Sequence, residues 1–400
     1  MSASPLASSL VSVREGWSLP SEAYLADATF AADMALLSRR WTFAGHVSEV
    51  GRPGSWILAR LGDEEAIIVR GEDGALRALA NVCRHRGSRV CVASRGVSRL
   101  FTCPYHAWSY RLDGSLQAAR EMPEDFDPAD FGLKPLPLVE IGGLIFVTFT
   151  PDFASLEPPS LDLARPALEA LTARLGWREA KIAHREAYEV AANWKLVMEN
   201  YHECYHCGPA HPEFAQLHAL ARPGARGLTG APDPLTGLAD LEDWGIDGLE
   251  RETVRVMRSQ LSADCATGSR EGAPLAPPMG PSPALWGHCV FAELGYLSAF
   301  LAYADHGVIY RFEPLAPLRT RMEVIWLTSG AAREGEDYDV EALSWLWRVT
   351  SEADKTIIER NQAGVKSRAY EPGPFSGMEP GTRQYVARYL ADLARVTRTP

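Results

Sequence analysis

Two short segments place the tightest demand on the fold. Cys83-Arg84-His85 and Cys103-Pro104-Tyr105-His106 each set one thiol and one imidazole within a single turn, and 17 residues separate His85 from Cys103. Both read as loops between strands. Two such clips can hold a tetrahedral zinc, or a [2Fe–2S] cluster with two thiolates on one iron and two imidazoles on the other. Structural zinc sites mostly repeat one ligand type within a clip. Here both clips are mixed, which suits the dinuclear cluster. Gly87 permits close backbone approach to inorganic sulfide, and Pro104 and Trp108 stiffen and shield the second loop. Neutral imidazoles in place of two thiolates raise the cluster's potential, so it can accept an electron from a ferredoxin-type donor. Cys91 reads as a small buried hydrophobe.

The remaining composition bounds the setting. Four hundred residues suggest a small and a large domain. An apolar share of 46% and a charged share of 23% are those of an ordinary globular protein. A net charge of −11 argues against nucleic acid as a partner. Residues 81–120 are the exception, with seven Arg against one Asp, a basic island where an acidic protein partner could dock. No apolar run is long enough for a membrane span, and the Ser-rich start lacks the pattern of a secretory signal. Seven clustered cysteines do not form a disulfide framework; a reducing cytoplasm, with cysteines serving metal, is the expectation.

Along the chain, helical spacing predicts a helix over 21–40 with Ser21 as its cap. From Trp41 the period shortens, and turn signals such as Gly51–Gly54 separate short β-like runs as far as Thr150. The expected division is an N-terminal helical segment, 1–40, an all-β domain, 41–150, and a larger α+β domain, 151–400. In the last, 161–175 and 338–366 read as helices, and four strand-like runs lie between 285 and 330. Residues 222–283 are rich in Gly and Pro, with little periodicity outside Leu249–Leu261, and read as a loop or lid.

A second constellation lies in Asn193–Pro212, NWKLVMENYHECYHCGPAHP. Glu199, His202, Glu203, Cys204, His206, Cys207 and His211 crowd into thirteen residues of a chain with ten histidines. On a helix starting near Trp194, Glu203 and His206 share a face, and a break at Gly208-Pro209 lets His211 swing back toward them. Two imidazoles and one carboxylate on one face of an iron leave positions open for O2. Which acid completes the set stays open on spacing alone. His202 reads as an outer or surface residue, Asn200 as packing or a neighbour of the iron. Cys204 and Cys207 read as packing, since thiolates suit softer metals. On the helix 338–366, Leu343, Trp347, Thr350, Asp354, Ile357 and Asn361 form an inward line, where a carboxylate needs a partner or a metal.

The pattern C-x-H-x17-C-x2-H, with HRG after the first clip and CPYHAW at the second, resembles the Rieske domain of the non-haem iron oxygenases. Glu203-Cys204-Tyr205-His206 through His211-Pro212 is similar to that family's D/E-x2-H-x4-H motif, and Asp354, Glu359 and Gln362 match its late D-x4-E-x2-Q. The resemblance implies a Rieske domain followed by a catalytic domain whose helices pack on a curved antiparallel sheet, of the helix-grip type. It implies that Cys83, His85, Cys103 and His106 hold a [2Fe–2S] cluster and that His206, His211 and Asp354 hold a mononuclear Fe(II). Glu203 would bridge, by hydrogen bonds, an iron-bound histidine and a Rieske histidine of a neighbouring subunit, within a homotrimer. The implied activity is that of a terminal oxygenase acting on a small molecule with O2, fed by an NAD(P)H-dependent flavin and iron–sulfur reductase or a ferredoxin. Within the family, NYHECYHCGPAHPEF and CPYHAWSY look most like the glycine betaine, carnitine and stachydrine monooxygenases. Oxidation of an aromatic ring or aryl ether is the alternative, and a Rieske electron carrier without oxygenase activity is the alternative of another class. Six aromatic residues, Trp286, Phe291, Tyr296, Phe300, Tyr303 and Tyr310, are candidates for a cation cage or for core.

Overall fold

A computed structural model describes residues 13–150, 157–218, 241–243, 250–280 and 286–396. They fall into two compact units. Residues 37–158 form one; the described residues before 37 join those after 158 in the other. A small all-β unit and a larger α+β unit are the fold that the sequence leads one to expect.

The smaller unit is three antiparallel sheets. The largest runs in the order Arg95–Val97, Ser55–Leu61, Glu64–Arg70, Leu76–Ala80, Pro135–Leu136. Thr42–His46, Leu144–Val147 and Leu138–Ile141 make a second sheet, and Phe101–Thr102, Ser109–Tyr110 and Leu116–Ala118 a third. Glu64–Arg70 is buried along five consecutive residues, as a strand covered on both faces must be. Trp56, Leu58, Ile67, Val69 and Leu79 meet Phe101, Trp108 and Tyr110 in one core. That core ties the third sheet, which carries the second clip, to the first.

The larger unit is built on seven antiparallel strands. Their order is Ala180–Val190, Arg319–Ser329, Gly307–Ala316, Ser298–Ala302, His288–Leu294, Val254–Gln260, Leu241–Asp243. The helices Trp194–Tyr201 and Val340–Val365 pack against one another and against the sheet. The last helix, Pro380–Val396, packs on Trp194–Tyr201 and has no counterpart in the sequence reading.

Several expectations change. The N-terminal helix is two, Ser21–Leu25 and Asp27–Leu37, divided where Ala26 is extended (ψ 129°). Pro20, not Ser21, takes the cap position, with no side-chain cap bond. The segment packs with the larger unit: Asp33 accepts from Trp194 Nε1 at 3.0 Å and Tyr389 Oη at 2.7 Å and pairs with Lys195. Part of the stretch read as a loop, 222–283, is sheet: Leu241–Asp243 is one edge strand and Val254–Gln260 its neighbour. Residues 219–240, 244–249 and 281–285 lie outside the described residues.

Candidate metal centres

The two clips of the smaller unit are twin turns. In each, the cysteine N–H donates to the carbonyl five residues on, Ser88 or Trp108, at 2.8 Å. Its carbonyl accepts from the residue four on, Gly87 or Ala107, at 2.9 and 3.0 Å. Those fourth residues share a left-handed backbone, with φ of 79° and 58°. The turns bury Cys83 and Cys103 and leave His85 and His106 exposed. The imidazoles meet edge to face at 4.6 Å between centroids, and Trp108 stacks on His85 at 4.8 Å. Two buried thiols and two exposed imidazoles fit the donor set of a [2Fe–2S] cluster that would take thiolates on one iron and imidazoles on the other. The Tyr110 hydroxyl accepts from Arg84 N at 3.0 Å and lies 3.2 Å from Cys83 Sγ.

In the larger unit, Asn193 caps the helix Trp194–Tyr201 by accepting from Lys195 N. The long helix supplies the rest of that anchor: Glu359 accepts from Ala191 N at 2.9 Å and Gln362 from Asn193 N at 2.8 Å. The helix stops at Tyr201, so Glu203 and His206 stand on a turn rather than on a continuous helix face. Gly208 and Pro209 sit inside a short helical turn, Cys207–Ala210, where an early proline loses no needed N–H. The chain bends instead at His211, with φ −145° and ψ 78°. The result still brings His206 and His211 together beside Asp354.

His206 Nε2 and His211 Nε2 lie 3.2 and 3.3 Å from one oxygen of Asp354. A charge-assisted hydrogen bond closes to about 2.7–2.9 Å, whereas neighbouring ligands on a six-coordinate ion with bonds of about 2.1 Å stand about 3 Å apart. The donor set and its spacing therefore fit a metal between them. His206 turns its other nitrogen, Nδ1, to Glu203, whose carboxylate also accepts from His206 N at 3.2 Å and from Tyr205 N. The Asn200 amide is 3.3 Å from His206 Nε2. Burial pushes the His206 imidazole down, but Asp354 and Glu203 outweigh it and raise it to about 9. Asp354 is held below its usual range: burial opposes this, and the two imidazoles prevail. The inward line of the long helix passes through Leu343, Trp347, Thr350 and Asp354 but continues at Ile358 and Gln362, leaving Ile357 half-buried and Asn361 exposed.

His202 is no ligand. Its Nδ1 meets Met198 O at 2.6 Å and its Nε2 lies 3.3 Å from Glu293. Cys204 and Cys207 are joined in a disulfide, against the expectation of unpaired cysteines. A turn of three residues brings their Cα atoms to 4.9 Å, within the range a disulfide spans.

His206, His211 and Asp354 line a cavity of about 700 Å³. Tyr201, Tyr310, Phe312 and Trp347 line it as one aromatic wall, with Tyr310 at 5.5 Å from Tyr201, 5.9 Å from Phe312 and 5.8 Å from Trp347. Of the six aromatic candidates, Phe291 and Tyr310 line the cavity; Tyr296, Phe300 and Tyr303 are buried in the core. Tyr201, Phe312 and Trp347 were missed, although Tyr310 and Phe312 two apart on a strand share a face. Arg255 and Glu293, paired at 2.9 Å across adjacent strands, also line it. Burial would raise Glu293, but Arg255 and His202 hold it at about 2. His218 is buried in the wall, 3.0 Å from Tyr303 Oη, and burial lowers it to about 3.

Residues 40–137 match the Rieske [2Fe-2S] domain, and residues 177–394 match the catalytic domain of the ring hydroxylating alpha subunit. The chain belongs to the ring-hydroxylating oxygenase alpha subunits. Such a subunit carries a [2Fe–2S] cluster and a mononuclear iron, acts as the oxygenase component beside a reductase, and takes a small-molecule substrate. A carrier without oxygenase activity would have no use for the catalytic domain. The glycine betaine monooxygenase oxygenase subunit of Chromohalobacter salexigens is 34% identical over 378 residues, 90% of this chain and 82% of that one. The carnitine monooxygenase oxygenase subunit of Acinetobacter pittii is 36% identical over 202 residues, 50% and 54% of the two chains. The quaternary ammonium Rieske monooxygenase CntA, solved with L-carnitine, shares the fold at a TM-score of 0.71 and 23% identity, over 100% of both chains. Among the described residues, no helix of this alpha subunit is long and apolar enough to cross a membrane.

Proposed function

We propose that this oxygenase hydroxylates an N-methyl carbon of a small quaternary ammonium compound of the betaine type, releasing formaldehyde. The observation that carries the reading is the wall of four aromatic rings beside the metal ligands. A quaternary cation has no N–H to donate, and ring faces attract it at about 0.5–2 kcal/mol each. Its relatives named for glycine betaine and carnitine point the same way.

In this reading Cys83 and Cys103 hold the inner iron of the cluster, and His85 and His106 the outer one. His206, His211 and Asp354 hold the mononuclear iron, which when bound supplies O2 activation at its open positions. The protein's own groups do the remaining work. The aromatic wall orients the cation with a methyl group toward the ligands. Glu203 holds His206 Nδ1–H and so fixes the ring's orientation; its carboxylate is also the bridge to a Rieske histidine of the next subunit in a homotrimer. One oxygen atom enters a methyl C–H bond, the resulting N–CH2OH breaks to formaldehyde and a tertiary amine, and the other oxygen leaves as water. The two electrons come from NAD(P)H through a flavin and iron–sulfur reductase or a ferredoxin, docked on the basic island, 81–120. A cytoplasmic address suits that supply.

The test is NAD(P)H and O2 consumption with a reductase, coupled to formaldehyde release, over N-methylated ammonium compounds and aromatic acids. Stimulation by a betaine with formaldehyde released in step supports the proposal. No stimulation by any N-methylated ammonium, or turnover of aromatic rings alone, overturns it.

A further inference from the structure

The disulfide has no role in the account so far, yet it brackets the site. Cys204 follows Glu203, and Cys207 follows His206. Cys204 is exposed, Cys207 is buried, and both line the cavity that holds the ligands. The Cys207 sulfur and the nearest nitrogens of His206 and His211 all lie within 4.8 Å of one another. As half of a disulfide this sulfur is no thiolate. Once the bond is reduced, it is the one soft donor grouped with two imidazoles, and a thiolate binds a metal far more strongly than a disulfide sulfur does.

We propose that Cys204 and Cys207 are a reversible thiol–disulfide pair that decides whether Cys207 sulfur joins the mononuclear metal site; this rests on His206, His211 and Asp354 being that site's ligands. In the reducing direction a dithiol donates two electrons and two protons, the S–S bond breaks, and the dithiol becomes a disulfide. The exposed Cys204 sulfur is the one a solution thiolate can attack. In the oxidising direction two thiols and one hydrogen peroxide give the disulfide and two waters. Peroxide is the two-electron product of O2 that an oxygenase releases when electrons arrive without substrate turnover. Reduced, the pair adds a sulfur donor and fills a position that O2 would need. Oxidised, it removes that donor and leaves the position open.

Zinc makes the donor set visible, because the cluster contributes none. The full chain, with its cluster intact and zinc in the mononuclear site, is prepared reduced by dithiothreitol, which is then removed without air, and oxidised by hydrogen peroxide. Differential alkylation with peptide mass spectrometry reads the state of each cysteine, and zinc-edge X-ray absorption reads the donors. The expected result is a nitrogen and oxygen shell only, with both cysteines unalkylated, after peroxide. After dithiothreitol both cysteines are alkylated, and a sulfur shell appears at about 2.3 Å. C207S lacks that shell in both preparations, and C204S, which cannot close the bond, shows it without dithiothreitol before any peroxide is added. A sulfur-free shell with imidazole scattering in both preparations overturns the proposal, as does equal alkylation before and after peroxide. A shell without imidazole in either preparation overturns the ligand set beneath it.

Discussion

Glu199 stands four residues before Glu203 on the helix that leads into the iron site, with its carboxyl buried. Tyr24 donates to its two oxygens at 2.9 and 3.1 Å. Burial raises its pKa from 4.5 to about 8, against the opposing pull of Tyr24 and Lys195. The folded chain therefore keeps a proton between pH 4.5 and 8 that the unfolded chain has already lost. Over that window stability falls as pH rises, by about 1.4 kcal/mol per pH unit and about 5 kcal/mol in all. Below the window this loss is absent; above it the loss is complete. Glu199→Gln keeps an acceptor for Tyr24 and removes the titration, so its stability lacks this slope. The assay is urea unfolding of the larger unit at about pH 6 and about pH 8, followed by far-ultraviolet circular dichroism. The two units are treated as separate transitions. The variant should gain about 2 kcal/mol on the wild type between those two pH values. A wild-type-to-variant gap that stays constant across them refutes the reasoning.

Other consequences are as direct. Glu203→Gln should keep both metals and normal reduction of the cluster while product formation falls about 10–100-fold; unchanged turnover would remove the bridge. In the metal-free chain, His206 at about 9 holds a proton that a metal must displace. Metal affinity measured against a chelator should therefore rise about tenfold per pH unit below that value, and a flat profile between about pH 6 and 8 would contradict it. Gly87→Ala places a Cβ that meets nothing within 4 Å, so only its φ of 79° costs, about 1 kcal/mol in the smaller unit's unfolding midpoint. A loss several times larger would show that the turn depends on more than backbone freedom.

The clips were legible because metal chemistry restricts both residue type and spacing. His85 and His106 meet at 4.6 Å between ring centroids on two matching turns. Asp354 was legible because a carboxylate amid Leu343, Trp347 and Thr350 needs a partner. The reasoning for Glu203 and His206 went through a helix that ends at Tyr201; their encounter depends on a turn whose course local pattern does not encode. Strands of the sheet hid in 222–283 because Val254–Gln260 has a polar face toward the cavity, with Arg255 paired to Glu293. The Cys204–Cys207 bond was missed because counting cysteines over the whole chain obscured a pair three residues apart.

Two separate iron centres are proposed, one on Cys83, His85, Cys103 and His106 of the smaller unit and the other on His206, His211 and Asp354 of the larger. Iron and acid-labile sulfide counted per chain, in the wild type and in Asp354→Ala, test this most directly. The account predicts about three irons and two sulfides in the wild type. In the variant it predicts about two of each, with the visible absorbance of the cluster unchanged. Two irons in the wild type, or three retained in the variant, would contradict it.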